Sequence, residues 1–168
     1  MNDSAEHISP TPTKANLGGL PYLRIQIDRD TPAVIPMEYA REVLVVPSKR
    51  LTPIPNMPDC VLGLLNQRSR VFWIVNLAQI LELSSSEKYT QNHHIAIVQV
   101  NNVALGLRVN QVKGTVRLES DAIQSPNNKV PSHLIPYVKG CIALKNDILL
   151  ILELKAIIDS PILHKNNY

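Results

Sequence analysis

Along the chain, apolar residues alternate with polar ones in short runs separated by turn-forming residues. Leu23, Ile25 and Ile27 alternate with Arg24, Gln26 and Asp28, the period-two pattern of a half-buried strand. Asp28–Pro32 reads as a turn, and Ala33-Val34-Ile35 resumes a strand. Pro36 suits the first turn of a short helix over Met37–Arg41, and β-branched Val43–Val46 predicts extended chain. Pro47, Pro53, Pro55 and Pro58 mark an irregular crossing. Val71–Val75 is nearly continuous in apolar residues, the pattern of a strand buried on both sides, which makes Trp73 a core residue. Asn76 can cap a helix whose inward face is Leu77, Ile80 and Leu81.

Ser84-Ser85-Ser86 ends this half in a loop. Ile95–Val100 opens the next, Asn101-Asn102 fits a tight hairpin because Asn tolerates positive φ, and Val103, Leu105, Leu107 and Val109 alternate after it. Val116–Leu118 predicts a strand, and Ile148–Leu152 another buried one, followed by a short helix over Glu153–Asp159.

The halves are related. A shift of 77 positions aligns Val61 with Val138, Gly63 with Gly140, Ile74 with Ile151, Leu77 with Leu154 and Ile80 with Ile157 without a gap. That spacing argues for a duplicated strand–strand–helix unit. Short strands with few helices point to β-barrels. The expected fold is all-β, two similar five-stranded barrels, with halves over about 21–88 and 93–160. Residues 1–20, rich in Ser, Thr, Pro, Asn and Gly, read as a tail, and residues 161–168 as a second one.

Composition narrows the function. The 168 residues are 45% apolar and 18% charged, with a net charge of +3 spread without a basic run. A nucleic-acid binder concentrates such charge and stacks bases on aromatics beside it, so nucleic acid is not an expected partner. The longest aliphatic run, Ile148–Leu152, is too short for a membrane span, and Met1–His7 carries acids without a following apolar segment, unlike a secretory leader. The expectation is a cytoplasmic protein. Cys60 and Cys141 lie far apart and read as small buried residues. His93-His94 is the only adjacent histidine pair, and in a strand its two rings point to opposite faces, so no metal site follows. Neither a phosphate-binding glycine loop nor a Gly-x-Ser-x-Gly elbow is present. No enzyme, cofactor or metal is expected.

The repeat acts as an internal control: positions that the fold requires match, and positions that differ are open to function. Gly63 and Gly140 match and read as backbone requirements at a turn. Asn66 and Arg68 align with Ala143 and Lys145, so folding does not require them. An exposed guanidinium beside an amide suits docking of a partner's carboxylate or carbonyl.

This window also carries a resemblance. Gly63-Leu64-Leu65-Asn66-Gln67-Arg68-Ser69 followed by Val71–Leu77 resembles the signature of the CheW-like family, in which an Asn-Leu-Arg-Gly turn precedes an apolar strand through Pro and Asp-Leu. Ala40–Leu44, Leu105–Val112 and Ile135–Gly140 are similar to other family segments in the right order, over roughly 21–160. Gln67, Ser69, Trp73, Asn76 and Asn110 depart from the pattern. The resemblance implies two intertwined SH3-like barrels and a non-catalytic adaptor. It would couple the cytoplasmic tips of methyl-accepting receptors to the regulatory domain of a CheA-type histidine kinase, in a chemotaxis, phototaxis or pilus-motility array. It implies that Asn66 and Arg68 face the receptor tip and that Glu42 lies near the receptor or kinase contact. It further implies recruitment to membrane receptor arrays without insertion. The competing expectation is an SH3-like peptide-binding module outside two-component signalling. Pro55–Pro58 could then be a ligand segment or simply a rigid crossing.

Overall fold

The computed structural model describes residues 18–83 and 90–164. The expected tails over residues 1–17 and 165–168, and the Ser84–Ser86 loop, lie outside the described residues. Two parts of the expected tails are structured instead: Leu20 opens a strand, and Pro161–His164 form a turn whose Ile162 and Leu163 pack against the core.

Ten strands follow in chain order. They are β1 (Leu20–Asp28), β2 (Thr31–Pro36), β3 (Ala40–Pro47), β4 (Val61–Gln67), β5 (Arg70–Asn76), β6 (Asn92–Val100), β7 (Val103–Val109), β8 (Gln111–Leu118), β9 (Val138–Ala143) and β10 (Ile148–Leu152). Two short helices, α1 (Leu77–Ile80) and α2 (Leu154–Ile158), follow β5 and β10. The helix expected over Met37–Arg41 is a single 3-10 turn at Met37–Tyr39, since β3 begins at Ala40.

The strands form two five-stranded sheets, ordered β8-β1-β2-β10-β9 and β3-β6-β7-β5-β4. Replacing each strand by its counterpart five later or earlier in the chain converts one order into the other. Each sheet takes strands from both halves, so the barrels are intertwined. The register repeats as well. Val61 pairs with Val75 and Gly63 with Ile74, while Val138 pairs with Leu152 and Gly140 with Ile151, each pair of strands carrying a bulge at the same place. The parallel contacts β5–β7 and β2–β10 are also equivalent, Ile74 facing Gly106 and Ile151 facing Val34.

Three apolar clusters hold this arrangement. One fills the first barrel, closed by the sheet β3-β6-β7-β5-β4, with Val46, Leu51, Leu65, Phe72, Ile74, Ile95 and Ile97. Its counterpart in the second barrel, closed by the sheet β8-β1-β2-β10-β9, centres on Tyr22, Val34, Leu149 and Ile151. The largest lies between the barrels and takes in Leu77 and Ile80 from α1, with Leu154 and Ile157 from α2. Each such aliphatic side chain contributes roughly 1.5–3 kcal/mol on full burial. Asn76 caps α1 as expected, its Oδ1 accepting from the Ala78 N–H at 3.1 Å.

Gly63 and Gly140 do not stand at turns; both lie inside strands, β4 and β9. The reason is close approach. Gly63 has φ +139°, and a Cβ there would sit 2.3 Å from the Thr52 carbonyl oxygen. At Gly140 a Cβ would sit 2.5 Å from Ile123 Cγ2. Trp73 is a second correction: it is 38% exposed, whereas its repeat partner Leu150 is 3% exposed. The first half of β5 is covered on one face only, with Val71 also exposed.

Candidate functional site

The β4–β5 hairpin turns through Arg68 and Ser69, both at positive φ (53° and 64°). Two successive left-handed residues make a type I′ connection, whose twist matches the flanking strands. Neither residue is glycine, and each such L-residue costs roughly 1–2 kcal/mol. The turn holds Arg68 at the hairpin tip, its side chain 80% exposed.

Glu42 comes to this tip from β3. Strands β3 and β4 are the two edges of their sheet, so a contact between them requires the sheet to curl closed. The contact is present. Gln67 Nε2 donates to Glu42 Oε2 at 3.4 Å, and Arg68 Nη2 lies 3.6 Å from the same oxygen. From the 3-10 turn after β3, Arg50 Nη2 donates to the Asn66 carbonyl at 2.7 Å and to Gln67 Oε1 at 3.3 Å. Asn66 exposes its side chain beside them. Arg70, just past the turn, lies over the Phe72 ring at 4.9 Å. The structure therefore gathers Glu42, Asn66 and Arg68 and adds Arg50, which the sequence reading did not single out, and Gln67, which it noted only as a departure from the family pattern.

Structural equivalence isolates this cluster. Strand β3 aligns with β8 at a shift of 72, since the register steps between Ala40 and Glu42 in one and between Val112 and Gly114 in the other. Glu42 therefore corresponds to Gly114 and Arg50 to Ala122, while Asn66, Gln67 and Arg68 correspond to Ala143, Leu144 and Lys145. The second barrel closes without any of these polar groups except a lysine. An exposed ion pair contributes about 0.2–1 kcal/mol at most, so stability is a poor reason for the cluster. Its chemistry is that of a docking patch: one carboxylate, two amides and three guanidinium groups around a protruding turn.

Other polar groups offer no catalytic alternative. Ser48 Oγ contacts both the Thr90 carbonyl and His93 Nε2, the latter at 3.0 Å. A carbonyl only accepts, so the single hydroxyl proton goes to Thr90 and His93 Nε2 must donate. That tautomer is the reverse of what a nucleophile's base requires. Burial, helped by Arg108, pushes the His93 pKa down. Burial pushes the Cys60 thiol up, which keeps it protonated and inert. Among the described residues, no group of three or more His, Cys, Asp or Glu could hold a metal ion. Among them too, no helix is long and apolar enough to cross a membrane.

The family model for the CheW-like domain matches residues 21–161. The chemotaxis protein CheW of Thermotoga maritima is 27% identical over 116 residues, covering 69% of this chain and 74% of that protein. Its counterpart from Rhizobium meliloti is 28% identical over 109 residues, covering 65% and 70%. The crystal structure of the scaffolding protein TtCheW from Thermoanaerobacter tengcongensis superposes with a TM-score of 0.71 at 18% identity, over 83% of this chain and 93% of that one. The duplicated, strand-exchanged barrels and the asparagine–arginine hairpin agree with that match. The chain belongs to the CheW-like family, a divergent member of a group of non-catalytic chemotaxis coupling adaptors.

Proposed function

We propose that this chain couples the cytoplasmic tip of a methyl-accepting receptor to the regulatory domain of a CheA-type histidine kinase, within a chemotaxis, phototaxis or pilus-motility array. In this reading it works in the cytoplasm and reaches the membrane only through the receptor. Asn66 and Arg68 form the receptor-facing contact, and Glu42 sets the direction of Arg68 from the neighbouring strand.

The observation that carries this reading is the asymmetry of the repeat. One fold is built twice, and only the first copy carries the polar cluster at its hairpin tip. A guanidinium already close to a carboxylate loses less conformational freedom on docking, and such preorganisation favours affinity. Gln67 extends the cluster by joining Glu42 to Arg50. Gly63 and Gly140 keep a backbone role in the two crossings.

The test is a titration of the purified chain with a receptor-tip fragment and, separately, with the kinase regulatory domain, using Arg68→Ala alongside. The receptor tip binds the parent chain. Binding to Arg68→Ala weakens by more than about 1 kcal/mol, the size of a hot-spot loss, while the unfolding midpoint hardly changes. A well-folded chain that binds neither partner would overturn the proposal and leave the SH3-like peptide-binding module as the better reading.

A further inference from the structure

The two barrels differ most in what covers the outer face at the end of β5 and of its counterpart β10. Thr52 bridges to Leu64, and Gln124 bridges to Cys141 at the equivalent place. Twelve positions separate the first pair and seventeen the second, so the second crossing is five residues longer. The extra length lies over β10. Val130 and Leu134 pack against the core cluster that holds Leu150, and Leu134 is itself 3% exposed. Lys129, Pro131 and Leu134 help to wall the remaining cleft, about 220 Å³.

The shorter first crossing leaves the equivalent face open. Trp73 stands where Leu150 stands, and Val71 and Val103 beside it are exposed. Their neighbours form a cleft of about 370 Å³ lined by Met57, Val61, Trp73, Leu105 and Leu163. Among the described residues nothing equivalent to Lys129–Leu134 covers this cleft, which is the larger of the two. The second barrel also shows what fits such a face: a proline-bearing stretch, Lys129–Leu134, that turns at Lys129, enters a 3-10 helix at Ser132 and seats Val130 and Leu134 on the core.

We infer that the Trp73 cleft of the first barrel takes a compact turn segment of a partner protein, a proline next to an aliphatic anchor, seated as Lys129–Leu134 is seated on the second barrel. The anchor is aliphatic because most of the lining is apolar; Asp159 and His164 also line the cleft. The site lies on the sheet face beyond the Glu42–Arg68 cluster and is independent of the receptor-and-kinase reading.

The probe is a synthetic peptide of the chain's own residues 124–136, added to the full chain. Trp73 is the chain's one tryptophan and the peptide has none, so emission on selective excitation reports the cleft directly. The peptide shifts Trp73 emission to shorter wavelength, saturably, with a midpoint below about 1 mM. Leu134→Asp in the peptide, or Val103→Asp in the folded chain, weakens the response at least tenfold. Three results would overturn the inference. One is no shift at several millimolar, or an equal shift with the Leu134→Asp peptide. Another is parent emission that is already blue and reddens on dilution, which would place a second copy in the cleft. The last is blue emission that is independent of concentration and unmoved by the peptide, which would place other residues of this chain there.

Discussion

Replacing each of the two matched glycines by alanine separates two physical reasons for one conserved repeat feature. Gly63 has φ +139° and faces the Thr52 carbonyl, a backbone atom fixed by two hydrogen bonds of 2.9 Å between Thr52 and Leu64. Alanine there takes on backbone strain of about 1–3 kcal/mol. It also disrupts a two-bond bridge worth about 1 kcal/mol per bond. A less flexible unfolded chain returns about 0.4–1 kcal/mol. The net loss is about 2–4 kcal/mol. Gly140 has no positive φ, and its added methyl meets Ile123 Cγ2 at 2.5 Å and the Gln124 carbonyl oxygen less closely, at 3.1 Å. Overpacking of about 1–3 kcal/mol, less the same return of about 0.4–1 kcal/mol, leaves about 0–2.6 kcal/mol.

Urea unfolding followed by circular dichroism measures both. With a slope of about 1–3 kcal/mol per molar urea, Gly63→Ala lowers the midpoint by roughly 1–2 M and Gly140→Ala by less. A Gly63→Ala midpoint within error of the parent, or a larger loss at Gly140, would refute the reasoning. Gly63 lies three residues before Asn66 on the same strand, so its variant also disturbs the docking hairpin. A loss of receptor-tip binding in Gly63→Ala but not in Gly140→Ala would follow.

Two further predictions concern the turn and the half-buried His93. Ser69→Gly relieves a left-handed residue at φ 64°; after the entropic cost of glycine it raises stability by about 0.5–1 kcal/mol, and a lowered thermal midpoint would contradict that. His93 has a folded pKa depressed by burial and by Arg108, so the unfolded chain binds its proton more readily. Stability from this group is therefore full above the unfolded value of about 6.5 and falls as pH drops through the folded value. His93→Gln flattens the dependence of unfolding free energy on pH below about 6.5, and an unchanged slope would show that other groups cause it.

The sequence made one part of the repeat visible and hid the other for a specific reason. Strands β4 and β5 match β9 and β10 at a shift of 77, and that alignment reproduces the observed pairing down to the bulge. Strands β2 and β3 match β7 and β8 at 72, because the second crossing carries five extra residues. A gapless shift sees only the later strands, so the exchange of strands between halves was supplied by the family resemblance. The same insertion explains Trp73. A continuous apolar run reads as buried on both faces, and nothing within Val71–Val75 reveals that the covering segment is too short. Asn66 and Arg68 were legible because their repeat partners differ. Their contact with Glu42 was not, because it depends on two edge strands meeting when the sheet closes. Arg50 carried the same signal, an alanine at its counterpart Ala122, but only at the second shift.

The central claim is that the chain bridges two partners. The direct measurement is recovery of the kinase regulatory domain on an immobilised receptor-tip fragment, with and without the chain. Retention of the kinase domain only when the chain is present, and reduced retention with Arg68→Ala, is the predicted result. Equal retention without the chain, or binding of each partner only in competition with the other, would contradict it.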